Sequence, residues 1–355
     1  MAEVELLDSE EQIAKVDRSG MLAVVGQLPE MVEQAERYSA GVDLPKAEAI
    51  RQILVLGMGG SAISGDIFSD LYLRKIKYPI VVNRSHSLPE FVDKGTLVFA
   101  LSYSGNTEEV ISAVKEAEKR DTRVICITSG GKLKEIAAGR NYPLFLIPTG
   151  YQPRSALPLL LIPLLSSLET MGIIPPAGAE IKEAALVLRK MKDEIGPGKP
   201  ARNNTAKQLA KKMAGKIPVI FGVTGTTASA ALRLKNQISE NSKLTSVLNN
   251  FPELNHNEIV NLSNRSREEH NFVWLVFRDE ADGERVKKGI EIIKSLLGKQ
   301  MGGVNEIVSY GKSPIARALS LIFFGDYLSV YLAIQRGVDP TPVDIIGRLK
   351  KEIMR

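Results

Sequence analysis

The chain has 355 residues, which is long enough for two domains of ordinary size. Hydrophobic residues make up 44% of it and charged residues 25%, proportions typical of a soluble globular protein. The net charge of +5 is spread along the sequence without a long basic block, so nucleic-acid binding has little support. The single cysteine, Cys126, excludes an internal disulfide framework and is expected to be a core residue in a reducing compartment.

The sequence favours a cytoplasmic protein that has no membrane partner. The N-terminus is acidic and lacks the hydrophobic region of a signal peptide. We expect no apolar run of membrane-spanning length. The very apolar stretch at residues 156–168 is interrupted by Pro158 and Pro163, so we expect it to form a buried helix.

The first half of the chain opens with a helical region at residues 9–39. Four apolar strands follow, and most of them precede a helical pattern; they are predicted at 52–57, 79–83, 97–101 and 124–128. Fully apolar strands that alternate with amphipathic helices predict a parallel sheet covered on both faces. The glycine- and proline-rich residues 196–200 are the best candidate for a linker.

The second half repeats this pattern from about Lys216. A strand at 217–222 leads through a polar turn, which contains Thr224, Thr226 and Thr227, into a helix at 228–241. Further strands are predicted at 244–248, 272–278 and 304–308. The repeat predicts two doubly wound α/β domains. Their bounds are an N-terminal helical segment at 1–45, a first domain with the linker at 46–200, and a second domain with C-terminal helices at 201–355.

The most informative loop, residues 102–107, follows the strand at 97–101. Ser102, Ser104 and Thr107 place three hydroxyls at the start of a helix, where backbone N–H groups have no intrahelical partners. Gly105 allows the backbone to approach a ligand closely. The loop carries no lysine, so it is not a Walker motif. It therefore predicts a site for a small sugar or metabolite phosphate rather than a nucleoside triphosphate.

A glycine-rich loop with Gly59, Gly60 and Ser61 follows the first strand. Backbone N–H groups of the two glycines and the Ser61 hydroxyl would suit the same phosphate. The spacing also fits a dinucleotide-binding fingerprint, although the next strand ends in Arg84 instead of an acidic residue. Because arginine suits a 2′-phosphate, a nicotinamide cofactor stays open as an alternative. A third interpretation is that the glycines serve only a tight turn.

These loops resemble the sugar isomerase (SIS) domain, a flavodoxin-like parallel sheet. Further motifs occur in order along the chain and extend the resemblance from about Ile53 to the C-terminus. Together they resemble the bifunctional phosphoglucose/phosphomannose isomerase family of archaea and some bacteria. The further motifs begin at Pro153 (Pro-Arg-Ser-Ala-Leu-Pro), Asn236 (Asn-Gln-Ile-Ser-Glu-Asn-Ser-Lys), Phe251 (Phe-Pro-Glu-Leu-Asn-His-Asn-Glu), Gly325 (Gly-Asp-Tyr-Leu-Ser-Val-Tyr) and Gly337 (Gly-Val-Asp-Pro-Thr-Pro-Val).

The resemblance implies interconversion of glucose 6-phosphate or mannose 6-phosphate with fructose 6-phosphate through a cis-enediol, without metal or other cofactor. Arg154 would stabilise the enediolate and Glu240 would move the proton between C1 and C2. His256 would assist ring opening from the partner subunit of a homodimer. A C-terminal lysine, taken as Lys350 with Arg348 and Lys351 as neighbouring alternatives, would complete the site. The residues implied to bind the phosphate are Gly59, Gly60, Ser61, Ser102, Ser104 and Thr107.

The residue types suit this chemistry. A carboxylate held out of bulk water can remove a proton next to a carbonyl, and a fixed guanidinium favours the developing enediolate. An imidazole titrates near neutral pH, as ring opening requires. Without the motif, Glu240 would be interpreted as a solvated carboxylate. No spacing of His, Cys, Asp and Glu indicates a metal site. An isomerase of another phosphosugar and a non-catalytic sugar-phosphate sensor are the alternative functions.

Overall fold

The protein, described here from a computed structural model over residues 5–263, 271–298 and 303–353, contains two parallel β-sheets. The first sheet has the spatial order β2-β1-β3-β4-β5 and the second has the order β7-β6-β8-β9. Every strand pairing in both sheets is parallel. The strands are β1 (Gln52–Leu56), β2 (Ile80–Asn83), β3 (Thr96–Leu101), β4 (Arg123–Thr128), β5 (Leu144–Leu146), β6 (Ile217–Val223), β7 (Val247–Phe251), β8 (Phe272–Arg278) and β9 (Val304–Val308).

Fourteen α-helices lie within the described residues, and several short 3-10 turns connect them. The helices are α1 (Glu10–Val16), α2 (Met21–Val25), α3 (Leu28–Arg37), α4 (Gly59–Tyr72), α5 (Glu108–Lys119), α6 (Gly131–Arg140), α7 (Leu157–Thr170), α8 (Gly178–Ile195), α9 (Thr205–Met213), α10 (Ala228–Asn241), α11 (Glu258–Ser263), α12 (Glu284–Leu297), α13 (Pro314–Gln335) and α14 (Asp344–Ile353). The predicted two-sheet α/β class with an N-terminal helical region is therefore confirmed.

The hydrophobic core lies on both faces of the first sheet, whose strands are apolar. Every residue of β3 is buried, and neighbouring side chains alternate between the two sides of the sheet. One side faces a small cluster that includes α5 and α6. The other side faces a larger cluster that continues into the helices between the two sheets and on into the second half. Cys126 lies in the small cluster, where burial raises the pKa of its thiol to about 12.

Helix α13 lies at the centre of this larger cluster. It packs against α8, α9, α10 and the N-terminal α2, so it joins the two halves of the chain. By length and composition it could cross a membrane, and the sequence-based expectation of no such run overlooked it. Most of its apolar window, 83%, is buried inside the protein, which is what a core helix requires.

Two strands differ from prediction. Strand β7 is Val247–Phe251, not 244–248, and contains two asparagines. Within the described residues it pairs with β6 alone, at the edge of the sheet, so it does not need a continuous apolar sequence. Strand β5 was not predicted because its three residues are too short for a periodic signal.

In each sheet the strand order changes direction beside the first strand, which creates a topological switch point. In the first sheet, successive strands leave β1 in opposite directions, to β2 on one side and β3 on the other. In such sheets ligands bind outside the carboxyl ends of the strands at this point. The loops that follow β1 and β3 are the glycine-rich loop and the serine-rich loop, residues 102–107. The fold therefore brings the two predicted phosphate-binding loops to one edge.

Candidate active site

The glycine-rich loop turns the chain from β1 into α4. Gly59 has φ +47°, a conformation that glycine adopts without strain. Gly60 lies against the backbone of another segment: a Cβ there would be 2.9 Å from both Pro153 O and Arg154 Cα. The absence of a side chain at this position lets the start of α4 touch the segment that carries Arg154. Ser61 is buried, and its hydroxyl accepts a hydrogen bond from Tyr103 N at 3.3 Å.

The serine-rich loop is held in place by its own hydroxyls and by close backbone packing. The buried Ser102 hydroxyl lies 2.8 Å from the Thr107 hydroxyl, and Ser104 is exposed at the tip. Gly105 has φ +69°, and a Cβ there would lie only 1.7 Å from Gly130 O. Only glycine fits at this position, so the serine-rich loop packs closely against the loop that contains Gly130, and it presents the three predicted hydroxyls at the start of α5.

Arg154 is the buried cation of the site, with a side chain 3% exposed. Its Nε donates to Asn241 Oδ1 at 2.7 Å, and its Nη2 donates to the carbonyl oxygens of Pro340 and Thr341 at 3.0 and 2.9 Å. The remaining nitrogen, Nη1, lies 3.6 Å from Glu240 Oε2. Three N–H groups thus hold the guanidinium, and Nη1 faces the carboxylate.

The pKa of the Arg154 guanidinium is lowered by burial. Nearby Glu240 opposes this shift and Arg233 adds to it. An arginine keeps its charge at physiological pH even so. The site therefore holds a fixed positive charge that water screens poorly.

Glu240 lies on the last turn of α10 and its side chain is 29% exposed. It lines a narrow cleft together with Arg154, Gly59, Gly60 and Ile63. The carboxylate is therefore reachable from solvent, yet it stands beside a buried guanidinium and the start of α4. This is the pairing of a base and a cation that proton abstraction next to a carbonyl needs.

Three further residues of the cleft were not assigned to the site from the sequence, although two of them open the motif that begins at Asn236. Arg233, Asn236 and Gln237 line it from α10 and precede Glu240 by seven, four and three residues. That spacing places all four on one face of the helix. Polar residues recurring at this interval ahead of Glu240 were the signal that could have found them.

Lys243, the last residue of the motif that begins at Asn236, is a further cation to which sequence analysis assigned no role. Its Nζ donates to Glu240 O at 2.7 Å and to Pro340 O at 3.0 Å, so it ties the end of α10 to the segment after α13. Burial lowers the pKa of Lys243, and so does the charge of Arg154. Lys243 therefore lies next to Glu240, just beyond the end of α10.

The structure of one chain does not bring His256 or Lys350 to this cleft. His256 is exposed after β7, and Lys350 is exposed on α14. Neither residue lines the cleft. Their predicted roles, including the donation of His256 by a partner subunit, stay predictions.

The polar turn of the second half is closed by other groups of the protein, including Asp282 from the loop after β8. Thr226 Oγ1 donates to Asp282 Oδ1 at 2.5 Å, and Thr227 Oγ1 accepts from Val223 N at 2.9 Å. Burial raises the pKa of the Asp282 carboxyl. A side chain of the protein thus takes up a hydroxyl that a ligand would otherwise use, in agreement with a structural role for this turn.

Two other predictions concern cofactors. Arg84, on which the nicotinamide alternative depends, forms an ion pair with Asp66. Within the described part of the chain, no group of three or more His, Cys, Asp and Glu side chains is arranged to hold a metal ion.

Both halves match known domain families. The SIS domain matches residues 48–138, and the family described as bacterial phospho-glucose isomerase C-terminal SIS domain matches residues 202–353. A crystal structure of a glucose-6-phosphate isomerase like protein from Thermus thermophilus superimposes with a TM-score of 0.64 at 17% identity, over 97% of this chain and 98% of that one. The fold is thus that of a protein with two SIS domains.

Similarity to curated relatives identifies the family within the proteins that have two SIS domains. A bifunctional phosphoglucose/phosphomannose isomerase of Caldicellulosiruptor bescii is 42% identical over 94% of this chain and 98% of its own length. The enzyme of the same description from Thermoplasma acidophilum is 40% identical over 85% of this chain and 89% of its own. The chain belongs to the bifunctional phosphoglucose/phosphomannose isomerase family.

Proposed function

We propose that the protein interconverts glucose 6-phosphate and mannose 6-phosphate with fructose 6-phosphate, without a metal ion, through a cis-enediol. The observation that carries this proposal is the pair formed by Glu240 and Arg154 Nη1, 3.6 Å apart, in a cleft that the start of α4 also lines. The named activity of the curated relatives supports the same substrates.

The mechanism assigns a role to each residue of the site. The phosphate binds at the starts of α4 and α5, to N–H groups and to the hydroxyls of Ser61, Ser102, Ser104 and Thr107. The Glu240 carboxylate takes the proton from C2 of the open-chain aldose, the electrons of that C–H bond form the C1=C2 double bond, and the carbonyl electrons pass to O1. The resulting enediolate is stabilised by Arg154. A proton then passes from O2 to O1, and Glu240 returns its proton to C1 as the C2=O bond forms, which gives the ketose.

Three further parts of the proposal are not carried by the cleft itself. His256, donated by the second subunit of a homodimer, assists ring opening, and Lys350 of the C-terminal helix completes the site. The protein acts in the cytoplasm, in the central metabolism of hexose phosphates that leads into glycolysis and gluconeogenesis. These statements rest on the family resemblance and on the exposure of His256, which leaves its imidazole accessible to a partner.

The test measures fructose 6-phosphate formation from each aldose with EDTA present. Turnover of both is expected; turnover of neither refutes the proposal, and binding without turnover indicates a sensor. The variant Glu240→Gln should lose roughly 10³-fold in kcat while fructose 6-phosphate still binds, because only the base is removed. Glu135→Gln, at an exposed position on α6, is the matched control and should behave like the wild type. Substantial activity in Glu240→Gln contradicts the assignment of the base.

A further inference from the structure

We propose that Asp326 is a positioning residue of this active site. Acting through Arg233, it fixes the backbone of Arg154 and the cleft-facing side of α10. The kinetic consequences of this proposal rest on the proposed function. The contacts from which it is argued do not depend on that function.

Asp326 sits on α13 and holds Arg233 of α10 through both oxygens of its carboxylate. Arg233 Nε donates to Oδ1 at 3.0 Å and Nη2 donates to Oδ2 at 2.7 Å. Gln237, one turn further along α10, donates to Oδ1 at 2.9 Å. The two charged side chains are 3% and 2% exposed. A single carboxylate thus fixes two residues that line the cleft.

Arg233 passes this constraint to Arg154. Its Nη2 also donates to Arg154 O at 2.8 Å. The same Arg154 backbone is the one that Gly60 touches at the start of α4. Arg233 therefore stands where the phosphate-binding helix, the guanidinium and the helix of Glu240 meet, and Asp326 decides how Arg233 is oriented.

A second contact from α13 holds the guanidinium itself. Asn241 Oδ1 accepts from Arg154 Nε at 2.7 Å, and Asn241 Nδ2 donates to Ser329 Oγ at 2.9 Å. Ser329 lies three residues after Asp326, and its hydroxyl also donates to Asp326 O at 2.7 Å. One turn of α13 thus determines both the backbone and the side-chain orientation of Arg154.

The energetics of buried ion pairs favour a positioning role. Removing two charges from water can cost more than their attraction returns, and apolar residues of similar volume often give a protein that is as stable or more stable. A dry bidentate pair is therefore weak evidence for stability. Here the pair also neutralises Arg233, whose charge acts on the adjacent Arg154. Loss of Asp326 would leave two guanidinium groups close together and free Arg233 to turn towards Glu240.

The test compares Asp326→Asn with a matched variant, Asp279→Asn. Asp279 accepts from Nε of Arg317, also on α13, through both carboxylate oxygens at 3.2 and 3.0 Å; the two side chains are 8% and 10% exposed, and Asp279 lines no part of the cleft. We expect kcat of Asp326→Asn to fall roughly 10- to 100-fold with KM changed less than about threefold, because the reacting groups are misplaced while the phosphate still binds. Asp279→Asn should keep kcat within about twofold. Equal kcat values in the two variants overturn the proposal.

A second variant covers the case in which Asp326→Asn does not fold. Replacing the pair by apolar residues, Arg233→Met with Asp326→Leu, removes both charges together and should restore the thermal midpoint. The proposal requires this variant to remain as slow as Asp326→Asn. A stable apolar variant with wild-type kcat would show that the pair is only structural.

An NMR measurement separates this proposal from the proposed function. The Nε–H resonance of Arg154, assigned with Arg154→Lys, should exchange slowly with water in the wild type because it is buried and bonded to Asn241. In Asp326→Asn it should exchange at least about tenfold faster, and in Asp279→Asn it should not change. If the wild type turns over neither sugar phosphate, the proposed function fails and this resonance still decides the positioning role. Unchanged exchange in Asp326→Asn overturns it.

Discussion

Gly60→Ala tests whether the contact between α4 and the Arg154 segment sets the catalytic geometry. The new Cβ would lie 2.9 Å from Pro153 O and from Arg154 Cα, whereas ordinary contacts begin at 3.4 Å. Both partners are backbone atoms and cannot turn aside as a flexible side chain would. The Arg154 segment must therefore move by about 0.5 Å relative to α4.

This displacement affects rate more than stability. Overpacking costs about 1–3 kcal/mol. Because Gly60 is the second residue of α4, alanine recovers less than the roughly 0.5–1 kcal/mol that it gains in a helix interior. A misplacement of about 1 Å can reduce a rate about 100-fold, so half of that predicts a roughly tenfold loss of kcat.

The assay is steady-state conversion of glucose 6-phosphate together with thermal unfolding. Gly139→Ala is the control, since Gly139 lies on α6 and a Cβ there meets nothing within 4 Å. It should keep kcat and gain a little stability. The reasoning is refuted if Gly60→Ala retains wild-type kcat, or if both variants lose activity to the same degree.

Two further substitutions test the two polar turns. Ser102→Ala removes a buried hydroxyl that we assign to the phosphate, so KM should rise about tenfold or more with little change in kcat, and an unchanged KM in steady-state assays contradicts the assignment. Asp282→Asn removes a carboxyl whose pKa is raised by burial above the usual 3.8. Such a group stabilises the fold most below that value and loses its contribution as the pH rises through its raised pKa. The difference in unfolding free energy between wild type and Asp282→Asn, from urea titrations, should therefore shrink with rising pH; a difference that grows or stays constant shows that the carboxyl is not perturbed in this way.

Local patterns determined how much of the fold could be predicted. Helix α10 occupies the predicted residues 228–241 and β8 the predicted residues 272–278, because the first has a periodic and the second a continuous apolar sequence; β9 also lies where it was predicted, at 304–308. Strand β7 lies three residues later than predicted, since an edge strand pairs on one side only and carries a weaker signal.

The residues of the candidate site could likewise be predicted only in part. Arg154 and Glu240 were identified by resemblance to family motifs, and the structure brings them together. Their orientation could not be predicted, because Asp326 lies in an apolar helix 93 residues from Arg233 along the chain. Contacts of this kind depend on tertiary packing and leave no local pattern.

The central position of α13 has a consequence for how the chain folds during synthesis. This helix closes a core that the N-terminal helices, α8 and α10 also line, yet it begins only at Pro314 and so leaves the ribosome after all of them. The first sheet can form earlier, but its helical layer keeps apolar surface exposed until α13 arrives. Contacts so distant in sequence slow folding and increase the time available for aggregation. A truncation before Pro314 should therefore cost the first half its solubility even though its own sheet is intact.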